Sequence, residues 1–241
     1  MATFVWAHRG ASGYAPENTL EAFEKAVEMG ADGIELDVHM TKDGKVVVIH
    51  DEKVDRTSNG TGFVKDFTCQ ELKTLDFSCG MEGFKNVRIP TLKEVLGLLR
   101  GTNLKLNIEI KCDRVIYPTI CEELHKIVGQ MGMEERVIYS SFNHYMLAKM
   151  REINPEAKIG LLYDCAIINP WEYATRIKAE AIHPHYLIPL YVRDTVEMCH
   201  ENGVAVNVWT PNDADTIQML ADIGVDAVIT NYPDVARSVI G

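Results

Sequence analysis

The stretch Gly33-Ile34-Glu35-Leu36-Asp37-Val38-His39 alternates between apolar and polar side chains along its length. A repeat of two residues is the period of a β-strand, so this strand has one aliphatic face and one face that carries carboxylates. The same alternation recurs at residues 105–111 and 204–209. The aliphatic sets there are Leu106, Ile108 and Ile110, and Val204, Val206 and Val208; the opposing sets are Asn107, Glu109 and Lys111, and Ala205, Asn207 and Trp209.

These stretches belong to a series of short apolar segments that alternate with amphipathic helical patterns. Eight candidate strands lie near residues 3–8, 33–39, 105–111, 136–141, 157–163, 180–184, 204–209 and 226–230. Helical patterns lie near residues 19–29, 91–100, 114–129, 143–153, 170–178, 189–202, 212–222 and 233–239. Eight strand–helix units predict an α/β fold, the TIM (β/α)8 barrel, in this chain of 241 residues. The runner-up, an open doubly wound sheet, lacks a G-x-G-x-x-G turn after the first strand.

Residues 40–90 interrupt this rhythm, because they hold no long helical pattern and are rich in Gly, Asp, Thr, Ser and Lys. We expect a hairpin and then a small insertion after the second strand, a lobe at about residues 51–88. No Pro/Ser-rich linker separates this lobe, so residues 1–241 are predicted to form a single domain. An insertion at this place lies over the C-terminal face of a barrel, where chemistry occurs.

The first helix has a recognisable start and end. Asn18 is predicted to be its N-cap, with Glu21 three residues later as in a capping box, and Gly30 is predicted to end it. Gly203 and Gly224 are expected to end two later helices in the same way.

The polar faces of the alternating strands predict a metal site. Because helices cover the apolar face of a barrel strand, Glu35, Asp37 and Glu109 must point into the barrel. Buried carboxylates are costly unless they are paired or bind a metal, and three at the carboxyl ends of two strands suggest a hard cation. The alternative interpretation is a salt-bridged strand at the surface.

A tight turn brings a histidine toward this site. Asp43-Gly44 is typical of a two-residue type I′ turn. Counting back along both arms of that hairpin, Asp37 opposes His50, and opposed residues share one face of the sheet. We therefore expect His50 to lie beside the metal ligands, unless a bulge changes the register.

The first strand ends in His8-Arg9-Gly10. A lone histidine at such a position is more often a packing residue than a functional one. Arg9 shifts the balance, because a guanidinium is suited to phosphate, and Gly10 lets the backbone approach a ligand closely. This strand end is therefore a candidate phosphate site.

Composition restricts the partners and the location. The formal net charge is −11, from 24 basic and 35 acidic residues, and no block of Lys and Arg is present, which argues against a nucleic-acid partner. A small phosphate can still bind where a metal and local cations supply positive charge. The six cysteines form no CxxC pair, no apolar run is long enough to span a membrane, and no signal-peptide pattern precedes the first strand. We therefore expect reduced thiols and a cytoplasmic location.

A series of short motifs runs through the chain. They are His8-Arg9-Gly10, Pro16-Glu17-Asn18-Thr19, Glu35-Leu36-Asp37-Val38, Thr41-Lys42-Asp43-Gly44, His50-Asp51, Asp55-Arg56-Thr57, Ile89-Pro90-Thr91-Leu92, Asn107-Ile108-Glu109-Ile110-Lys111, Ser141-Phe142, Val208-Trp209-Thr210 and Thr230-Asn231-Tyr232-Pro233-Asp234. Each motif is weak alone. In this order and at this spacing, the chain resembles the glycerophosphodiester phosphodiesterase family over nearly its whole length.

The resemblance implies a TIM barrel with one divalent cation, Mg²⁺ or Ca²⁺, with Mn²⁺ as a further option. It implies hydrolysis of a small-molecule glycerophosphodiester to sn-glycerol 3-phosphate and an alcohol. By matching position, the metal ligands are Glu35, Asp37 and Glu109, the catalytic acid/base pair is His8 and His50, and the substrate-binding residues are Arg9, Lys111, Trp209 and Glu17. Glu17 has the alternative role of a first-turn charge on a helix, and Trp209 that of a core-filling aromatic. His183 and His185 are expected to be structural or peripheral.

In the mechanism that the resemblance implies, His8 is favoured as the base and His50 as the acid, and the nucleophile is either water or the glycerol 2-hydroxyl. A lysophospholipase D or sphingomyelinase D-like phosphodiesterase on the same scaffold is the alternative enzyme. It would need an apolar entry for lipid tails, for which the insertion offers Phe63, Phe67, Phe77, Met81 and Phe84. A non-catalytic phosphate-binding barrel is the third reading. Alcohol specificity, the preferred metal and the oligomeric state stay open.

Overall fold

Eight parallel strands close into a barrel in the computed structural model, which describes residues 2–112 and 114–241. With one added hairpin arm, the strands are β1 (Phe4–His8), β2 (Gly33–Met40), β3 (Val46–Val48), β4 (Lys105–Ile110), β5 (Val137–Ser141), β6 (Lys158–Tyr163), β7 (Ala181–Pro184), β8 (Ala205–Trp209) and β9 (Ala227–Thr230). β1 pairs with both β2 and β9, which closes the barrel, and β3 lies antiparallel to β2. The predicted TIM barrel is confirmed.

Helices follow the strands around the outside of this barrel. They are α1 (Leu20–Glu28), α2 (Cys69–Leu72), α3 (Leu92–Leu99), α4 (Ile120–Met131), α5 (His144–Ile153), α6 (Pro170–Arg176), α7 (Leu187–Tyr191), α8 (Asp194–Glu201), α9 (Ala214–Asp222) and α10 (Pro233–Ile240), with 3-10 turns at Val64–Asp66 and Glu134–Arg136. None of the helices within the described ranges is long and apolar enough to cross a bilayer.

Strand parity sorts the side chains as the alternation predicts. Ile34 and Leu36 on β2 are fully buried in a hydrophobic core that they share with Leu92 and Leu96 of α3. The opposite face of β2 points into the barrel, where Trp6 of β1 packs over Gly33, so closely that a Cβ there would lie 2.7 Å from its ring. Aliphatic side chains therefore join strands to helices, and the polar set is left inside.

Three helix predictions need correction. The N-cap of α1 is Thr19, whose hydroxyl accepts from the Ala22 amide, and not Asn18. α4 begins at Ile120 and not at residue 114, because Pro118 disfavours helical geometry in the residue before it. The helix predicted at 189–202 is two helices, α7 and α8, because Val192 has φ −106° and ψ 79°. The apolar period continues across that break, so the sequence pattern alone does not reveal it.

The register of the β2–β3 hairpin also differs from the prediction. Val38 pairs with Val48, and the Ile49 amide donates to the Asp37 carbonyl at 3.0 Å. Asp37 therefore faces Ile49, and the predicted pairing of Asp37 with His50 is wrong by one residue.

The cause is a turn of three residues instead of two. The Lys45 amide donates to the Thr41 hydroxyl at 2.9 Å, and that hydroxyl donates to Asp43 at 2.7 Å. Gly44 adopts φ 74°, a left-handed conformation that favours glycine. The Thr41 side chain thus closes a wider turn that the Asp-Gly signal does not distinguish from a two-residue one.

The inserted lobe lies between β3 and α3 and contains only α2 and one 3-10 turn. It has its own hydrophobic cluster, which consists of Val47, Ile49, Val54, Val64, Leu72, Phe77, Val87 and Ile89. Because Val47 belongs to β3, this cluster is continuous with the hairpin. The lobe is thereby held beside the carboxyl end of β2.

Candidate active site

Three carboxylates meet at the carboxyl ends of two neighbouring strands. Glu35 and Asp37 come from β2 and Glu109 from β4, and the parallel register sets Asp37 opposite Glu109. Each offers an oxygen, and these oxygens lie within 4.8 Å of one another. The residues are buried, with exposed fractions of 3%, 1% and 8% respectively. The register of parallel strands, and not a local motif, brings them together.

Burial and mutual repulsion set the ionisation of this cluster. Burial, together with the charges of Asp37 and Glu109, raises the pKa of Glu35 well above its usual range. Burial also raises the pKa of Glu109, against the opposing charge of Lys111. Burial acts on Asp37 in the same direction, but Arg9 and other nearby cations outweigh it and lower the pKa of that carboxyl.

The donor set fits a divalent cation. Glu35 Oε1 and Asp37 Oδ1 are buried, and neither has a hydrogen-bond partner among the described residues. Unsatisfied buried oxygens are costly, and a cation between them would remove both this cost and the repulsion. Three carboxylates offer only oxygen ligands, which suit Mg²⁺ or Ca²⁺ better than zinc.

Two cationic side chains adjoin the carboxylates. Lys111 follows β4, and its Nζ lies 2.6 Å from Glu109 Oε1 and 3.8 Å from Asp37 Oδ1. Arg9 follows β1, where a left-handed φ of 57° directs its amide to Glu35 Oε2 at 2.9 Å. Its Nε lies 3.4 Å from Asp37 Oδ2. Both cations are therefore positioned where an anionic phosphate would meet the cluster.

His8 is oriented by an asparagine from the far end of the chain. Its Nδ1 lies 2.6 Å from Asn231 Oδ1, an acceptor, so Nδ1 carries the proton and Nε2 presents a lone pair. Nε2 faces the cluster, 3.9 Å from Glu35 Oε2. Burial and the charge of Arg9 lower the pKa of His8 to about 4. The ring is therefore neutral near pH 7.

His50 reaches the site although the predicted register is wrong. The chain leaves the sheet after β3, and the ring nitrogen Nε2 of His39 lies 3.0 Å from the His50 carbonyl oxygen. His50 Nδ1 donates to Asp51 Oδ1 at 2.7 Å, which leaves Nε2 to face Lys111 Nζ at 3.3 Å. Burial opposes the ionisation of Asp51, but bonds from Arg56 and His50 lower its pKa to about 2. A carboxylate therefore backs this ring.

A chain of ion pairs joins the lobe to the barrel. Arg56 donates to Asp51 Oδ2 at 2.8 Å and to both oxygens of Glu17, at 2.7 and 2.8 Å. Glu17 Oε1 in turn accepts from Arg9 at 2.9 Å. Glu17 thus contacts two arginines, and its position depends on both parts of the fold. The network connects Arg9 on the barrel to His50 beside the lobe.

Asn18 has a role that the sequence reasoning missed. The backbone of Asn18 is left-handed, with φ 58°. Its side-chain nitrogen Nδ2 donates to Asp37 Oδ2 at 2.8 Å, and its Oδ1 accepts from the backbone amide of Asp37 at 3.3 Å. Asn18 therefore holds Asp37 in place instead of capping α1. Asn231, Asp51 and Arg56 were missed in the same way: each lies in one of the quoted motifs, which is the only signal that the sequence offered.

Trp209 forms part of the wall of the site. Its Nε1 donates to the His183 carbonyl at 2.8 Å, and its ring meets Phe142 edge to face at 5.6 Å. It lines a pocket of about 50 Å³ together with His8, Arg9, Glu35, His50, Asn107, Glu109, Lys111, Phe142, Leu162 and Ile229. The structure thus brings all nine predicted site residues to one region, with Glu17 behind Arg9 and Asp37 at the base.

A larger groove leads outward from this pocket. Its volume is about 970 Å³, and it shares His50, Lys111 and Phe142 with the pocket. Phe63 of the lobe and Val115 after β4 supply apolar wall, and charged side chains of both signs lie along it. The groove has room for a group attached to the phosphate.

Fold and site together define a TIM barrel whose centre has a carboxylate cluster that could hold a cation, beside two cationic side chains suited to an anionic phosphate ester. The family model of the glycerophosphoryl diester phosphodiesterase family matches residues 8–235. A glycerophosphodiester phosphodiesterase of Caldanaerobacter subterraneus subsp. tengcongensis is 50% identical over 237 residues, which cover 97% of this chain and 96% of that relative. The chain therefore belongs to this family and is a phosphoric diester hydrolase with glycerophosphodiester phosphodiesterase activity.

Solved structures agree with this assignment. A glycerophosphodiester phosphodiesterase from Agrobacterium tumefaciens str. C58 has a TM-score of 0.86 at 31% identity, and the match covers 98% of this chain and 100% of that one. A phosphodiesterase from Oleispira antarctica, solved in complex with the product sn-glycerol-3-phosphate, has a TM-score of 0.90 at 30% identity, with 99% and 97% covered.

Proposed function

We propose that this enzyme hydrolyses glycerophosphodiesters to sn-glycerol 3-phosphate and an alcohol, with a divalent cation and the two histidines. The observation that carries the proposal is the buried cluster of Glu35, Asp37 and Glu109 with two histidines beside it. His8 Nε2 lies 3.9 Å from Glu35 Oε2, and His50 Nε2 lies 3.3 Å from Lys111 Nζ, the cation bonded to Glu109. The product bound in the Oleispira antarctica phosphodiesterase supports the same substrate class here.

Glu35, Asp37 and Glu109 are the proposed ligands of one Mg²⁺ or Ca²⁺, with Mn²⁺ as a further option. Such a cation would supply Lewis-acid polarisation of the phosphoryl oxygens and a template for the substrate. Asn18 keeps Asp37 aimed at that position through its two hydrogen bonds. Glu35 Oε1 and Asp37 Oδ1, which lack hydrogen-bond partners among the described residues, support this assignment.

Arg9 and Lys111 are the proposed phosphate-binding cations. Charge gathers on the non-bridging oxygens in the transition state, and preorganised cations stabilise it most where water is excluded. Glu17 orients Arg9, since it bonds the guanidinium at 2.9 Å. Trp209 and Phe142 are proposed to form the apolar wall beside the glycerol and the alcohol.

His8 is the proposed base. Its neutral ring and its Nε2 lone pair suit proton acceptance, and Asn231 keeps that tautomer. The new bond to phosphorus forms from the nucleophile's oxygen, whose proton passes to His8 Nε2. That nucleophile is water, which gives sn-glycerol 3-phosphate directly, or the substrate's own glycerol 2-hydroxyl. In the second case the product of this step is a cyclic phosphate, which water then opens by forming a new bond to phosphorus while the 2-oxygen leaves and regains a proton.

His50 is the proposed acid. The bond from phosphorus to the alcohol oxygen breaks, and that oxygen takes a proton from His50 Nε2. Asp51 stabilises the charged imidazolium through Nδ1 at 2.7 Å. An arriving phosphate offers Lys111 a stronger acceptor than the ring, so His50 Nε2 becomes free to carry the proton.

A second candidate substrate class, lysophospholipids, is favoured by the apolar walls of the outer groove at Phe63, Val115 and Phe142. Turnover of glycerophosphocholine and lysophosphatidylcholine, measured with Mg²⁺ as release of the phosphate-bearing product, distinguishes the two. We expect faster turnover of glycerophosphocholine. Preference for lysophosphatidylcholine would assign the lysophospholipase D activity, and turnover of neither would leave a binding barrel.

We further propose a cytoplasmic location and no nucleic-acid partner. Five reduced cysteines, Cys69, Cys79, Cys121, Cys165 and Cys199, support the first proposal. The net charge of −11 supports the second.

A further inference from the structure

The most exposed large apolar side chains of the described chain are concentrated at the active-site end of the barrel. Four of them form what we name the apolar rim: Ile168, Tyr145, Tyr191 and Ile116, with exposed fractions of 90%, 88%, 79% and 62%. Ile116 follows β4, Tyr145 follows β5, Ile168 follows β6 and Tyr191 follows β7. These strands are consecutive neighbours in the barrel, so the rim is one arc around the mouth.

This arrangement differs from ordinary surface composition. Single exposed apolar side chains are common and need no explanation, whereas a group on one side of a molecule marks an interaction surface. None of the four belongs to the catalytic centre described above. Exposed tyrosine and isoleucine are also types that enter the boundary between water and lipid, since tyrosine pairs an apolar ring with a polar tip.

The charge of these loops is unlike that of the rest of the protein. Residues 114–119, 142–145, 165–169 and 185–193 contain no Asp or Glu, although the chain has 35 of them. The same segments contain two arginines, Arg114 and Arg193, while Asp113, Asp164 and Asp194 flank them in sequence. With the exposed Asp164 and Asp194 beside them, the two arginines leave this arc near neutral in a protein of net charge −11, which reduces the repulsion of anionic phosphate groups.

We propose that the apolar rim docks the enzyme onto a phospholipid surface with the mouth of the site facing the lipid. The groove that reaches Lys111 and His50 has walls at Val115 and Phe142, in the same loops as the rim, so docked lipid and site would be continuous. A second copy of this chain bound to the apolar rim would instead cover the mouth of the active site. The proposal rests on the proposed function, because docking serves a site that acts on diesters derived from lipids.

The test is co-sedimentation with vesicles of phosphatidylcholine and phosphatidylglycerol in equal parts. The rim variant is Tyr145→Ser/Ile168→Ser/Tyr191→Ser, and the matched control is Phe4→Ser/Val27→Ser/Met219→Ser, which changes exposed apolar residues away from the rim. We expect the wild type and the control to sediment with the vesicles. The rim variant should bind at least about tenfold more weakly, because binding scales with the apolar area inserted.

Three results would overturn the docking proposal. These are a wild type that stays in the supernatant, an equal loss of binding in the control, and a wild-type dimer in gel filtration that only the rim variant dissociates. Turnover of soluble glycerophosphocholine, measured on all three proteins, separates this proposal from the proposed function. This turnover should be unchanged in both variants. If none of the three proteins turned over glycerophosphocholine, the result would count against the proposed function and not against docking.

Discussion

Each histidine of the site has its Nδ1 engaged by an oxygen, while its Nε2 faces a charged side chain of the site, Glu35 for His8 and Lys111 for His50. Asn231 is a neutral acceptor for His8, whereas Asp51 is a charged acceptor for His50. The neutral partner fixes the His8 tautomer that has a lone pair on Nε2, which suits the proposed base, whereas the charged partner orients the His50 ring for its proposed role as the acid. The two histidines thus acquire different proposed roles from the residues that hold their Nδ1 atoms.

Removing either ring should slow the chemistry without removing the metal site. We expect His8→Ala and His50→Ala each to lower kcat by roughly 10²–10⁴, the usual contribution of one acid/base group. Steady-state kinetics on glycerophosphocholine measures this, and His125→Ala on α4 is the control for loss of a histidine outside the site. A variant at position 8 or 50 that keeps the wild-type kcat would show that its histidine has been assigned wrongly.

A substitution at Arg9 is the second test on a single residue, because the Arg9 guanidinium is paired with both Glu17 and Asp37. Arg9→Lys keeps the charge but loses the planar, two-pronged geometry that suits phosphate. We expect a lower kcat/KM. If kcat/KM is the same in the variant and the wild type, Arg9 only pairs with its carboxylates and does not bind the substrate.

At the scale of elements, the inserted lobe acts on the barrel through Arg56. This side chain bonds both Asp51 and Glu17, so it positions the partner of His50 and the partner of Arg9 together. We expect Arg56→Ala to lower kcat/KM by about 10–100-fold, the usual effect of losing a group that orients site residues. Most of the loss should fall on kcat, since the phosphate-binding cations themselves remain.

Arg88→Ala is the matched control for this prediction. Arg88 also lies in the lobe, but it donates to the carbonyls of Thr74 and Leu75 and not to the site. Its removal should leave kcat unchanged. Equal losses in the two variants would indicate that the lobe as a whole had been disturbed and that Arg56 has no positioning role.

The strands and helices also show which features of the site could be predicted from the sequence. The alternation in β2 and β4 predicts which side chains enter the barrel, because each strand has only two faces. The hairpin register was not predictable, since the choice of turn depends on the Thr41 hydroxyl. Asn18 is a good N-cap by residue type, but its side chain is hydrogen-bonded to Asp37, 19 residues away along the chain, and does not cap the helix. Local rules therefore fail where a distant side chain competes.

The interior of the barrel couples the unfolding free energy of the whole protein to pH. His183 lies fully buried on β7, and burial lowers its pKa to about 3 from the ordinary 6.5. Between these values the unfolded chain binds a proton that the folded chain does not. The contribution of His183 to stability is therefore complete well above pH 6.5 and decreases as the pH falls from there toward 3.

His183→Gln tests this linkage. Between pH 7 and pH 5.5, we expect the wild type to lose about 1 kcal/mol more unfolding free energy than the variant, because only its unfolded state gains this proton. Urea unfolding at the two pH values gives the comparison, and all other titrating groups are common to both proteins. Parallel losses in the two proteins would mean that His183 does not titrate on unfolding.

The whole chain also places its lobe, its hairpin and its barrel around one site. We propose that they fold as a single domain, as the lack of a linker predicts, because the hydrophobic cluster of the lobe includes Val47 of β3. The site then depends on residues from β1, β2 and β4, from the lobe and from the segment after β9. No part of the chain could supply it alone.

Metal-dependent hydrolysis is tested by the release of sn-glycerol 3-phosphate from glycerophosphocholine by the same preparation before and after metal removal. The cluster of Glu35, Asp37 and Glu109 has only oxygen ligands to offer. We expect turnover to stop in excess EDTA, once metal removal has been verified, and to return with Mg²⁺, Ca²⁺ or Mn²⁺. Full turnover by the metal-free protein would show that hydrolysis does not need a cation at this cluster.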